Sequence, residues 1–195
     1  MPSESSFIAL AIVAVVALVF LVIIVRRFMR NIPQGKIGIV ERKYSGKKMT
    51  TGRVYATNGE IGIEAQYLKP GLHFLMWPIR SIVTIVPFES IGPDELGYIT
   101  ATDGNPLPAG RIYSEDPAAD SHNNFQEPIA FLTKGGIRGR QLRVINSGQY
   151  MIHPLLFKVE KRPKTKVTEG TIGVVTAADG MALEPGEILG KTPAR

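Results

Sequence analysis

The sequence predicts a mainly β protein of the α+β class: one N-terminal transmembrane helix, then tandem small β-rich modules, with a short helix in the second. Three observations carry this. Phe7 to Val25 is a run of nineteen residues with no charge, amide, hydroxyl, glycine or proline. Beyond it lie all 20 glycines and short β-branched apolar runs, the composition of strands and turns. The downstream part also matches itself at constant offsets, as tandem modules do.

As a helix the apolar run reaches about 28 Å, close to the ~30 Å hydrocarbon core of a bilayer. Fifteen of its residues are Ile, Leu, Phe or Val, each favouring insertion by roughly 0.3 to 0.6 kcal/mol. A cleaved signal peptide would carry positive charge before its apolar stretch and a small-residue cleavage site after it. Here Met1 to Ser6 holds only Glu4, and Arg26, Arg27 and Arg30 follow the run. The flanks therefore predict a single-pass membrane protein with its short N-terminus outside and its C-terminal portion cytoplasmic. Residues 26–195 carry 23 basic against 16 acidic side chains, a balance of +7 suited to an anionic leaflet. The basic residues are dispersed without any nucleic-acid-binding module, so no nucleic-acid partner is expected. The absence of cysteine excludes disulfides, thiol catalysis and cysteine metal sites.

Pro33 and Gly35 break the helix, and Lys36 to Arg42 alternates as a strand. A turn at Ser45-Gly46 precedes a short strand from Arg53 to Ala56, and Asn58-Gly59 favours a tight hairpin. Lys69-Pro70-Gly71 is a further turn, leading into Leu72 to Pro78 and then Ser81 to Val86, read as β-hairpins.

Gly97 to Gly104 (GYITATDG) matches Gly173 to Gly180 (GVVTAADG) at an offset of 76, and Ser45 to Tyr55 matches Asp103 to Tyr113 at an offset of 58. The expected organisation is an N-terminal segment at 1–31 with its helix at about 7–25, a β module at 32–92, a second at 93–166, and the start of a third at 167–195. The third unit is shorter than the second, which predicts that the chain is an N-terminal fragment of a longer protein. The second module holds an insert of about 18 residues: a polar loop from Glu115 to Asn124, then a helical stretch from Phe125 to Lys134 ended by Gly135-Gly136. Pro128 fits only in the first turn of that helix.

Little here points to chemistry. His73, His122 and His153 have no partner at metal-ligand spacing, so a structural role is expected for them. Glu115, Asp116 and Asp120 lack the pattern of a calcium loop. Gly135 to Arg140 follows a helix instead of opening one, so it is read as a turn and not a phosphate loop. Lys158 to Lys166, with five basic residues in nine, reads as a solvated strand end or a linker touching lipid headgroups. No serine sits in a nucleophile motif. The expectation is no enzyme, cofactor or metal. At the membrane interface the expected residues are Arg26, Arg27, Arg30, Phe74, Met76 and Trp77, the last because tryptophan favours that level.

The single span, then Ile32-Pro33-Gln34-Gly35-Lys36-Ile37-Gly38-Ile39-Val40-Glu41-Arg42, then Lys69-Pro70-Gly71-Leu72-His73-Phe74 with Trp77-Pro78-Ile79, resembles the start of the stomatin/prohibitin/flotillin (SPFH, band 7) membrane proteins. The nearest likeness is to bacterial flotillin-like members with extra β modules, through Asp103-Gly104, Pro106-Leu107, Gly110-Arg111, Phe125-Gln126, Gly135-Gly136 and Gly148 with Tyr150. The chain departs from that family in lacking a long Ala/Glu/Lys-rich coiled coil. The resemblance implies a non-enzymatic scaffold that forms homo-oligomers, organises a bilayer patch and holds other integral membrane proteins such as a membrane protease. The alternative expectation is a membrane-tethered β-rich adaptor of an export, efflux or membrane-protease complex.

Overall fold

A computed structural model describes residues 4–76, 78–115 and 121–174. Helix α1 (Glu4–Phe28) runs into β1 (Met29–Ile32), followed by β2 (Lys36–Arg42), β3 (Gly62–Ile63), β4 (Gly71–Phe74), β5 (Arg80–Pro87) and β6 (Glu89–Ile91). Then come β7 (Glu95–Ala101), β8 (Tyr113–Ser114), helix α2 (Pro128–Thr133), β9 (Gly139–Ile145), β10 (Gly148–Tyr150) and β11 (Phe157–Pro163). The protein is thus mostly β, with an apolar N-terminal helix, several small sheets and one short later helix. The 19 residues Leu10–Phe28 form a helix long and apolar enough to cross a membrane, with none of its apolar window covered by the rest of the chain. That composition fits an anchor or a signal sequence.

Among the described residues the strands form four sheets: β1-β4, β3-β2-β5, β10-β6 and β11-β7-β9-β8. The pairings between these strands are antiparallel except β8 with β9, and isolated bridges at Lys47, Ala56 and Asn105 are also parallel. Ladder geometry recurs along the chain. Lys47 donates its N–H to Gly59 O (3.0 Å) and accepts from Ile61 N (3.0 Å). Asn105, 58 residues later, does the same with Gly136 O (2.8 Å) and Arg138 N (2.9 Å). Likewise Ala56 bridges Glu64 in the parallel sense, and Ser114 bridges Gln141. The β2–β5 ladder, with Ile37 opposite Val86, has its counterpart in β7–β11, with Glu95 opposite Pro163.

The two copies share the larger of two core clusters among the described residues, the smaller being Ile37, Ile39 and Tyr67 of the first copy. Tyr55, Ala65 and Ile91 of the first pack with Ile99, Phe125, Phe131, Ile145, Leu156 and Phe157 of the second. Phe125, Phe131 and Phe157 meet with ring centroids 5.0 to 6.0 Å apart, mostly edge-to-face, the arrangement that aromatic quadrupoles favour. The main polar join is the buried carboxylate of Asp103. One oxygen accepts the N–H groups of Val54 (2.8 Å) and Tyr55 (3.1 Å), and the other accepts Gly104 N–H (2.7 Å). The Tyr55 hydroxyl donates to Leu155 O (2.6 Å), Tyr67 to Gln126 O (2.6 Å), and Arg53 Nη2 to Leu132 O (2.7 Å).

Several local expectations are corrected. Residues 53–56 form no strand beyond the isolated bridge at Ala56, because Asp103 takes the amide groups that a ladder would use. Asn58-Gly59 makes a turn but no hairpin. The Glu60 carboxylate accepts the N–H groups of Thr57 (2.9 Å) and Asn58 (2.6 Å), and the chain returns as a parallel bridge to Lys47. Those backbone hydrogen bonds hold the Glu60 carboxyl below the usual carboxylate range. Strands β4 and β5 are consecutive but join different sheets, so they form no hairpin either. The inserted helix, by contrast, has the short form that its proline implies: Pro128 occupies its first turn, and Gly135 leaves it at φ 100°. Phe125 precedes it with Asn123 and Asn124 in left-handed geometry. That conformation costs roughly 1–2 kcal/mol for a residue with a Cβ and is offset by complete burial of the Phe125 ring. Of the two readings of Lys158–Lys166 the strand end is the one observed: residues 158–163 belong to edge strand β11, where Lys161 pairs with Glu89 (2.7 Å), and Lys166 beyond its end pairs with Asp94 (2.7 Å).

Replacing Asp103 with Ala strands three N–H groups at the junction of the two copies. Asp103→Ala is expected to lower unfolding free energy by about 3 kcal/mol in denaturant titration. A loss below about 1 kcal/mol would show that the junction does not depend on this carboxylate.

Candidate functional site

The join between helix and sheets builds the most distinctive surface of the protein. Arg26 and Arg27 occupy the last turn of α1, where the helix dipole favours positive charge. With no intervening turn the backbone becomes β1, which pairs in register from Met29 opposite Phe74 to Ile32 opposite Gly71. The Phe28 ring stacks on Phe74 at 5.3 Å, and Phe28 O accepts Leu75 N–H at 2.8 Å. Backbone pairing and ring stacking together fix the direction in which the helix leaves the β body.

Opposed residues of an antiparallel pair project to the same side. Met29 and Phe74 therefore share a face with Asn31 and Leu72. Leu72, Phe74 and Met76 are exposed by 63%, 67% and 56%, while Leu75 between them is buried. This apolar rim sits beside the foot of the helix and is not the core of a hairpin. Trp77 lies outside the described residues.

Next to the rim is a groove of about 290 Å³ lined by Arg27, Arg30, Leu75, Arg80, Ser81, Ile82 and Ile85. Arg80 is oriented from behind: its Nε donates to Glu64 Oε1 (2.8 Å) and its Nη2 to Glu64 Oε2 (2.5 Å), in a bidentate pair. Arg42 approaches the same carboxylate at 3.7 Å. Glu64 thus faces two guanidinium groups and leaves the groove basic. Arg30 and the Ser81 hydroxyl make no side-chain hydrogen bond or ion pair among the described residues.

The structure therefore brings Arg27 and Arg30 to one groove and sets Phe74 and Met76 on the adjoining rim, with Arg26 exposed on the last turn of the helix. Sequence reasoning missed Arg80, Ser81, Ile82, Ile85 and the orienting Glu64. The available signal was Arg80 at the head of an apolar strand shortly after the Leu72–Met76 segment, but the pairing of β1 with β4 that brings them together is not local.

The three histidines have structural surroundings. His73 Nε2 lies 2.7 Å from Lys69 O. His122 is fully buried, accepts Phe125 N–H at Nδ1 (2.8 Å) and packs on the Phe125 and Phe131 rings. His153 is fully buried, accepts Leu156 N–H at Nδ1 (3.2 Å) and meets Tyr55 edge-on. Glu115 pairs with Arg111 at 2.8 Å, and Asp116 and Asp120 lie outside the described residues. Among the described residues no group of three or more His, Asp or Glu is placed to hold a metal ion. Gly136 O is used by Asn105 N–H, and a Cβ on Gly136 would fall 2.5 Å from Phe131 O, so this glycine serves close packing. Comparisons with protein-family models, with curated proteins and with solved structures give no match.

Burial lowers the His153 pKa to about 4, against smaller opposing effects from the backbone of Glu64 and of His153 itself. The unfolded chain then binds the extra proton between about pH 6.5 and 4, so stability is full above pH 6.5 and falls as pH drops through that window. The expected loss is on the order of 3 kcal/mol by pH 4. His153→Asn should flatten this part of the stability–pH curve in thermal or urea denaturation; an unchanged slope would assign the acid sensitivity elsewhere.

Proposed function

We propose that this chain is a membrane-anchored, non-enzymatic scaffold of the SPFH, flotillin-like type, with α1 as its anchor, its short N-terminus outside and its β body cytoplasmic. The observation carrying this reading is the continuity of α1 with β1. A signal sequence is separable from the body it exports, whereas here the foot of the helix takes part in the fold through Phe28 and β1. A helix joined without a flexible linker holds the β body at a set angle to the bilayer, which suits a geometric role. The arginines at 26, 27 and 30 favour the cytoplasmic side for that body.

Scaffolding requires self-association, and the sheet edges differ in their fitness for it. Strand β11 presents Lys158, Glu160, Lys161 and Arg162, charges that discourage edge-to-edge pairing. Strand β5 ends the three-stranded sheet and exposes Val83 and Ile85, by 52% and 41%. Val83 is the extra residue at the irregularity between the Ile39–Thr84 and Val40–Ile82 pairs. Contacts through this edge, repeated around a homo-oligomer in which every copy is tethered to one bilayer, add by avidity. Other integral membrane proteins, a membrane protease among them, would be held within such an assembly.

The full chain in detergent is expected to show an oligomeric native mass, and Val83→Lys is expected to shift it to monomer without changing the far-UV circular dichroism. A wild-type monomer at all concentrations would overturn the scaffold reading, and an oligomer indifferent to Val83→Lys would move the interface away from β5.

A further inference from the structure

We propose that the groove between the foot of α1 and β5 binds the phosphate of an anionic phospholipid in the leaflet next to the β body. The inference rests on reading α1 as a membrane anchor, and it names a ligand for the surface that the helix–strand join creates. Three features support it. The first is donor geometry: Arg80 gives Nε and Nη2 to Glu64, which orients the guanidinium and leaves Nη1 for a further acceptor. Arg30 and the Ser81 hydroxyl are uncommitted among the described residues, and Arg27 lines the same wall. Guanidinium groups with a hydroxyl suit a phosphate better than a carboxylate-free apolar cleft would, because each N–H···O⁻ bond is charge-assisted.

The second is the floor. Leu75, Ile82 and Ile85 offer apolar surface beneath the arginines. A free phosphate gains nothing from it, whereas the glycerol and first methylenes of a lipid bury area there. The third is depth. Arg27 is in the last turn of a bilayer-length helix and Arg30 two residues beyond its end, so both lie at headgroup level when the helix spans. Leu72, Phe74 and Met76, exposed on the other face of the β1–β4 ladder, add apolar surface at the foot of the helix, and the charge and apolar lining of the groove itself match a lipid in the leaflet.

The groove differs from a general basic skirt in one testable respect: Arg26, one residue before Arg27, is exposed at the same helix end but does not line it. The test is native mass spectrometry of the full chain in detergent, titrated with dioctanoyl phosphatidylglycerol, with dioctanoyl phosphatidylcholine and inorganic phosphate as parallel arms. The expected result is one phosphatidylglycerol per chain, with phosphatidylcholine and inorganic phosphate each at least about tenfold weaker. Arg30→Gln should weaken phosphatidylglycerol about tenfold, Ser81→Ala about threefold and Arg26→Gln less than about twofold. Equal losses for Arg26→Gln and Arg30→Gln would show diffuse attraction and overturn the site. Inorganic phosphate binding as tightly as the lipid would overturn the lipid assignment, and equal binding of the zwitterionic lipid would overturn the role of charge. The same spectra report oligomeric mass, so loss of lipid selectivity in an intact oligomer fails the groove alone. A monomer that retains the lipid fails the scaffold alone.

Discussion

The four-residue ladder between Met29–Ile32 and Gly71–Phe74 is the contact on which the basic groove and its apolar rim depend. It converts the end of an apolar helix into an element of the β body. Without it, the helix would hang from a flexible exit and its arginines would sample solvent. With it, the Phe28–Phe74 stack and the Phe28–Leu75 hydrogen bond close the corner, and Arg27 and Arg30 come to rest against β5. Pro33, just beyond the ladder, suits the break between β1 and β2, because it has no N–H for a sheet and cannot continue a helix.

The β body itself depends on one copy of the repeat completing the other. A small β unit buries too little apolar surface to stand alone, and here the first copy lends Tyr55, Ala65 and Ile91 to a core whose aromatic centre belongs to the second. The polar side of the junction follows the same logic. Asp103 satisfies amide groups of the preceding copy's loop, so a residue that reads as part of an ordinary Asp-Gly turn also acts as a clasp between units. Glu64 has a comparable double position: its backbone belongs to the first copy's parallel bridge, while its carboxylate orients Arg80 toward the helix foot.

These two constraints meet in the groove. Glu64 and Arg80 are held by the sheet, Arg27 and Arg30 by the helix–strand join, and neither set makes a basic pocket without the other. Such a pocket stays basic despite its buried carboxylate because Arg42 also approaches Glu64, at Oε1, so one negative charge is shared between two guanidinium groups.

By itself the sequence determined what depends on local pattern: the apolar helix, the β-rich remainder, the recurring Gly and Asp-Gly turns, and a short helix opening at Pro128 and closing at Gly135. Period, length and turn chemistry act over a few residues, so they are written in neighbouring letters. Tertiary structure alone decided which strands pair, and the sequence reading failed where pairing partners are distant. The apolar segment after Lys69-Pro70-Gly71 looked like one arm of a hairpin, yet β4 chose β1 some forty residues back and β5 chose β2. Residues 53–56 looked like a strand, yet a carboxylate about fifty residues away took their amide groups. The groove belongs to this second kind: Arg30 and Arg80 share it only because two long-range ladders fold the chain back on the foot of the helix, and no spacing between them along the sequence encodes that meeting.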